Sequence, residues 1–479
     1  MRRVENSPAP RNPRSAVAAA GASRSWLVDS KYQPVMTLVM YALMFMVSVP
    51  STIFSPQFNE VEAEPNPLYR TLKLAMLGVA VAVLIWRRTF AVMLARELNK
   101  FLLVLLALAL LSTTWSIEPG ITMTRIVALA TIYIICWACV MVGWYEQRYQ
   151  EILRSFFTAL MVGSLIFGIV APTLAKERGI GISLEGAWHG LLAQKNGLGH
   201  AACITILLWW HAWLANQAKF WRFAAGSGAA IACLLLSRSS TSVFAALFSI
   251  GLLLLLLKGP KGKRRYMVLT VVAFAAVLLF YSLAVLNVIP GSEAVVQPLV
   301  ALTGKDMTFS GRTQIWSIIQ QHIAQAPILG TGYGAYWIGR VPTSPSYVFI
   351  TRMSSFYPTE AHNGYLDIIN DLGYVGLLCL LGFLFVFLRQ SLALLKIDYV
   401  QATLYLALLF EELINNMSES EWLSATSFSF VTLILGTFAL ARALLDQRLS
   451  TTVSPAAQMP VVTRRERSRQ PRGRHAPER

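Results

Sequence analysis

Charge is scarce in this chain, and acidic charge is the scarcer kind. Asp, Glu, Lys and Arg make up 14% of its 479 residues against 55% hydrophobic, with 41 Lys and Arg to 24 Asp and Glu. Mean hydropathy is +0.54. A soluble globular chain could not hide that much apolar surface in a core. Cysteine is sparse as well: Cys136, Cys139, Cys203, Cys233 and Cys379 all fall in apolar stretches, so no disulfide framework is expected. Cys136 and Cys139 form a C-x-x-C, but no histidine or second pair stands near them, and they read as small apolar filler. There is no H-E-x-x-H and no Cys/His cluster with ligand spacing, so neither a metal nor a cofactor is expected. The run Gly330-Thr331-Gly332-Tyr333-Gly334 lacks the G-x-x-x-x-G-K-[ST] pattern of a phosphate cradle and reads as a turn. No 20–50-residue repeat and no inverted halves stand out.

What is present is a series of apolar runs of about 20 residues, the length that crosses a bilayer as a helix. They lie near 35–56, 69–86, 101–115, 124–143, 154–174, 196–215, 222–237, 240–257, 266–289, 363–388, 400–416 and 423–446. The expectation is an all-α polytopic membrane protein of about twelve transmembrane helices. Basic residues mark alternate loops: Arg87, Arg88, Arg96 and Lys100; Arg148 and Arg154; Lys219 and Arg222; Lys258 to Arg265; Arg389 and Lys396. The other loops hold stretches such as Asn59-Glu60-Val61-Glu62 and Ser418-Glu419-Ser420-Glu421 with no Lys or Arg. By the positive-inside rule the basic set is cytoplasmic, and both termini with it. Residues 1–33 and 447–479 read as disordered basic cytoplasmic tails, 34–289 as helices one to nine, 290–362 as an outward loop and 363–446 as helices ten to twelve. Net charge +17 then serves topology, and nucleic acid is not an expected partner.

The longest polar interruption runs from Ile289 to Tyr365. Apolar residues at 315, 318, 319 and 323 recur at helical period, which predicts an amphipathic segment opening near Arg312 and stopped by Pro327. Trp316 suits a helix lying at the membrane–water boundary. Arg312 would stand in the first turn, where free N–H groups and the helix dipole favour an anion. Other polar groups gather at outward ends of spans: Lys195-Asn196, the Arg238 turn among Ser237, Ser239, Ser240, Thr241 and Ser242, and the face of Asn363, Asp367 and Asn370 or Asp371. Glu411, Glu412, Asn415 and Asn416 complete the set. Polar faces at one depth predict a shared water-accessible cavity under the loop. His189, His200, His211 and His322 read as structural, and His211 as lying towards the wrong side.

These motifs occur in this order in one family. Lys195-Asn196 opening a span, Ser237-Arg238-Ser239, Ser310-Gly311-Arg312 with Trp316, the glycine run at 330–334 and His362-Asn363 heading a span resemble the O-antigen ligase and Wzy-type polymerase superfamily, most of all its exopolysaccharide-production (ExoQ-like) branch. The resemblance implies a GT-C-type glycosyltransferase of the bacterial inner membrane. Such an enzyme takes glycan from an undecaprenyl-diphosphate carrier at the periplasmic face and passes it to an acceptor hydroxyl, inverting and without metal. It implies catalytic roles for Arg238, Arg312 and His362, and substrate contacts for Lys195, Asn196, Tyr333, Asn363 and Asp367. Implied partners are the lipid-linked glycan donor and acceptor, the bilayer, and a chain-length regulator and flippase. The expected function is a polysaccharide polymerase. Its rivals are a ligase onto lipid A core or another acceptor, a twelve-helix transporter of an anionic substrate, and a non-catalytic assembly partner.

Overall fold

The computed structural model describes residues 33–50, 67–141, 148–177, 186–285, 312–353 and 357–452. The N-terminal tail, most of the C-terminal tail and residues 290–311 of the long loop, with Ser310 and Gly311, lie outside them. Apart from one isolated bridge between Lys176 and Trp188, the described residues form helices, turns and loops. In chain order the longer helices are α1 (Gln33–Ser48), α2 (Pro67–Trp86), α3 (Arg88–Glu97), α4 (Lys100–Leu111), α5 (Pro119–Met141), α6 (Arg148–Val170) and α7 (Lys195–Leu214). They continue as α8 (Phe220–Ser237), α9 (Ser240–Lys258), α10 (Arg264–Val285), α11 (Arg312–Ile323), α12 (Gly364–Leu394), α13 (Tyr399–Asn415) and α14 (Phe428–Thr452).

Seven of these helices are long and apolar enough to cross a membrane: α2, α5, α6, α8, α9, α12 and α14. The chain is a multi-pass membrane protein. A helix stands at each of the other five expected positions too, and physical reasons set them apart. Around α1, α4 and α10 the apolar stretches are shorter. Helices α7 and α13 sit at the centre of the bundle: α7 packs on α6, α8, α9, α13 and α14, while α13 packs on α9, α10, α12 and α14. Every residue of α13 from Gln401 to Asn415 is buried. A helix screened from lipid by others can carry polar groups that a lipid-facing one cannot. These two carry Asn196, His200, Glu411 and Glu412.

The bundle has two chemically distinct ends. At one, Arg87 and Arg442 donate to Met141 and Val140 carbonyls at the end of α5, His211 pairs with the Val400 carbonyl, and Arg448 meets Glu97. This end also holds a cavity of about 70 Å³ lined by residues that include Tyr149, Gln401, Arg442 and Asp446. His211 is thus remote from the site below, as expected. The opposite end carries the 312–353 segment and the starts of α7 and α12.

Helix α11 forms where its period predicts, but its apolar stripe turns into the protein. Ile315, Trp316, Ile318, Ile319 and Ile323 are buried, and the helix packs against α12. Trp316 is therefore an internal strut and does not lie at the lipid boundary. The chain beyond it enters a break in α12. At Gly373 (φ +66°, ψ −169°) the helix is interrupted, which frees two N–H groups and two carbonyls. Tyr374 N–H donates to Pro327 O at 2.9 Å and Val375 N–H to Ile328 O at 3.2 Å. Thr331 N–H and Gly332 N–H donate in turn to Asn370 O and Asp371 O at 3.2 and 3.0 Å. The loop so replaces the helix's own ladder, which is how backbone away from water tolerates a break.

Candidate functional site

The site is assembled around the residues that precede α12. His362 has φ +52°, a left-handed conformation rare for a residue with a side chain. Its neighbours impose it. The Ala361 carbonyl accepts from Trp316 Nε1 at 3.0 Å, and Ala361 N–H donates to Asp367 Oδ2 at 3.0 Å. Trp337 Nε1 holds the other Asp367 oxygen at 2.8 Å. On the far side, Asn363 caps α12 by accepting from Tyr365 and Leu366 N–H, and Gly364 N–H donates to Asn416 O at 2.9 Å. Asn363 N–H reaches Ser420 Oγ at 3.2 Å. The 416–427 loop is thereby stitched beside His362.

Glu419 in that loop is the centre of the cluster. Its Oε1 meets Arg312 Nη2 at 3.1 Å and Asn196 Nδ2 at 2.6 Å. Its Oε2 meets Gln194 Nε2 at 3.3 Å and His362 Nδ1 at 3.4 Å. Glu360 Oε1 holds the same imidazole nitrogen at 2.9 Å. Lys195, half-buried at the head of α7, gives its N–H to Glu177 Oε1 at 2.9 Å, and its charge interacts with those of Glu177, Arg312, Glu419 and Arg238. Arg238 caps α8 in the left-handed region (φ +52°, ψ 30°) with its side chain exposed. Gly199 lets α7 close on that turn: a Cβ there would lie 2.8 Å from Ser239 Cβ.

Charge states follow from this geometry. Burial would lower the His362 imidazole, but hydrogen bonds and charge from Glu360 and Glu419 outweigh it and raise it to about 10. In this arrangement His362 is an imidazolium at neutral pH, not the free base its ordinary pKa suggests. Burial raises the Glu360 carboxyl above the usual range, against the pull of His362. Glu419 goes the other way. Burial would raise it, but His362 and Arg312 hold it down to about 2, so it is ionised.

The structure distributes the expected residues unevenly. Arg312, His362 and Asn196 converge on Glu419, Lys195 stands within electrostatic reach of Arg312 and Glu419, and Arg238 within reach of Lys195. Tyr333, Asn363 and Asp367 are engaged internally: Tyr333 is buried, its hydroxyl donating to Leu423 O and its N–H to Ser112 Oγ at 3.0 Å. Asp367 and Asn363 fix the backbone around His362. Glu419, Glu360 and Gln194 had no assigned role in the sequence, nor had Arg125, which donates to the carbonyls of Gly334 and Trp337 at 2.7 and 2.6 Å. The only signal for Glu419 and Glu360 was their place in polar stretches next to span ends.

Two His/Glu groups have ligand atoms within 4.8 Å of one another and the right chemistry for a divalent cation: Glu360 with His362 and Glu419, and His200 with Glu411 and Glu412. Their members come from separate segments, so sequence spacing could not reveal them. In the second group His200 Nε2 meets Glu411 Oε1 at 2.8 Å, and Asn415, Asn416 and Ser429 donate to the two carboxylates.

Comparison with known proteins adds the kinship. A family profile described as O-Antigen ligase matches residues 225–381. The chain resembles the O-antigen ligases. It is also 29% identical over 206 residues to the exopolysaccharide production protein ExoQ of Rhizobium meliloti (strain 1021), covering 41% of this chain and 45% of that protein. The aligned stretch is thus less than half of the relative's length. Both findings agree with the resemblance read from the motifs. The O-antigen ligase match contains Arg238, Arg312, Glu360 and His362, and leaves Gln194, Lys195, Asn196 and Glu419 outside it.

Proposed function

We propose that the chain is a bacterial inner-membrane glycosyltransferase of GT-C type that joins undecaprenyl-diphosphate-linked repeat units at the periplasmic face, a polysaccharide polymerase. The observation that carries the reading is the meeting of Arg312, Asn196, Gln194 and His362 on a single carboxylate, with Lys195 and Arg238 in reach. Such a set of donors suits a diphosphate, and charge-assisted hydrogen bonds are worth about 1.5–3 kcal/mol each. The acceptor hydroxyl attacks the anomeric carbon as the bond to the diphosphate breaks, and the electron pair leaves with the diphosphate. Arg312, Arg238 and Lys195 neutralise that leaving group. The hydroxyl proton passes to the Glu360–His362 pair, with the imidazolium orienting the carboxylate. Attack from the side opposite the diphosphate inverts the anomeric centre. In this scheme the guanidinium and ammonium groups supply the charge a divalent cation supplies elsewhere.

A ligase that transfers finished glycan to another acceptor is the second reading, favoured by the family description of the matched profile. One experiment tests both. Purified protein is given undecaprenyl-diphosphate-linked repeat units alone, in EDTA. A polymerase yields multi-repeat lipid-linked product, and His362→Ala or His362→Asn abolishes it; asparagine tolerates the left-handed backbone, so its failure reports chemistry and not strain. Product that forms only when a separate acceptor is added means ligase. No product with either, or product only after a divalent metal is restored, overturns the scheme.

A further inference from the structure

Glu419 Oε1 accepts from Arg312 and Asn196, and Oε2 accepts from Gln194 and lies 3.4 Å from His362 Nδ1. The side chain is 5% exposed. Three separate segments converge on it: the head of α7, the first turn of α11 and the residue before α12. We propose that Glu419 is a displaceable internal anion, occupying the seat that receives the diphosphate of the lipid-linked substrate. This rests on the lipid-linked reading above. The groups around it are mainly positive: Arg312 and His362 lie against it and Lys195 is within electrostatic reach, partly balanced by Glu360 and Glu177. The dipoles of α7 and α11, whose N-termini lie beside it, add to the positive field. A diphosphate brings two charges and more acceptor oxygens, so it can replace every bond Glu419 makes.

The loop that carries Glu419 permits the exchange. It is anchored on both sides, by Asn416, whose Oδ1 accepts from Glu421 and Trp422 N–H at 3.0 Å, and by Leu423, whose carbonyl receives the Tyr333 hydroxyl. The carboxylate can therefore leave by side-chain rotation while the loop ends stay fixed.

The test is direct binding, independent of turnover. Full-length protein in nanodiscs is titrated calorimetrically with inorganic pyrophosphate and, separately, with undecaprenyl diphosphate incorporated in the discs. Glu419→Gln removes the competitor and is expected to tighten binding about tenfold or more, whereas Arg312→Ala weakens it. A residue that only props up the site would change affinity in the opposite direction when neutralised, so unchanged or weaker binding in Glu419→Gln overturns the proposal. Tightening for the lipid alone identifies the carrier as the ligand; tightening for pyrophosphate as well identifies the diphosphate group itself. Should Glu419→Gln fail to fold, Glu419→Asp keeps the charge but shortens the reach, and affinity no better than wild type there overturns the idea. If neither wild type nor any variant binds either probe, the lipid-linked reading falls with it. Binding by wild type that Glu419→Gln leaves unchanged removes only the displacement.

Discussion

His362 is held by charge as much as by packing, and that fixes how its environment responds to pH. Its folded pKa, about 10, lies above the ordinary 6.5 because Glu360 and Glu419 outweigh burial. A group whose pKa rises on folding stabilises fully below its unfolded value and loses that contribution as pH climbs through the folded one. The contribution of the clamp is therefore present at and below about pH 6.5 and disappears as pH approaches about 10. Glu419, depressed to about 2, imposes the mirror condition: its share is present above about 4.5 and fails only in strong acid. Thermal unfolding in detergent should show wild type above His362→Asn at pH 6, with the gap closing by pH 10–11. A gap that stays constant with pH would mean that shape, not ionisation, holds the loop. The histidine could be found from sequence, whereas its charge state could not. Its position before an apolar span is local, whereas Glu419 lies more than fifty residues away.

At the scale of elements, the break in α12 is the feature on which the loop, and through it His362, depends. Gly373 has a backbone conformation open in practice only to glycine, and a Cβ there would lie 2.1 Å from the Ile328 carbonyl oxygen. Gly373→Ala is expected to destabilise by about 2 kcal/mol or more, measured as the folded fraction after heating in detergent. The sign is diagnostic, since in an unbroken helix the same change stabilises by about 0.5–1 kcal/mol. The hydrophobic runs and their helical period were legible: among the described residues a helix stands at each expected position, seven of them long and apolar enough to cross a membrane, and the stripe at 315, 318, 319 and 323 is buried. Which face that stripe would cover was not legible, because a stripe seals equally well against lipid or against α12. Nor was the break at Gly373, since a lone glycine in an apolar run usually stays helical. The engagement of Tyr333 and Asp367 escaped for the same reason: a polar residue beside a loop reads alike whether it meets a substrate or a neighbouring backbone. In each case the partner is distant in the chain.

For the molecule as a whole, the separation of its two ends decides whether the chemistry faces the compartment where the proposed donor would be found. Basic residues gather where Arg87, Arg442 and Arg448 cap and bridge helix ends, and Lys258 closes α9 on that side. The cluster of Arg312, His362 and Glu419 lies at the other end. The proposed periplasmic transfer requires the cluster to face outside, the orientation that retention of Lys and Arg on the cytoplasmic side favours. Two single-cysteine variants check this in a background with the five native cysteines replaced by serine or alanine. Ser317, exposed on α11 five residues beyond Arg312, should as Ser317→Cys react with a membrane-impermeant maleimide in intact spheroplasts. Lys258→Cys should react only after the membrane is permeabilised. The reverse pattern would put the cluster in the cytoplasm, where the positive-inside argument and the periplasmic transfer could not both stand. Labelling of both in intact spheroplasts would mean that α10, the helix between them, does not carry the chain across the membrane.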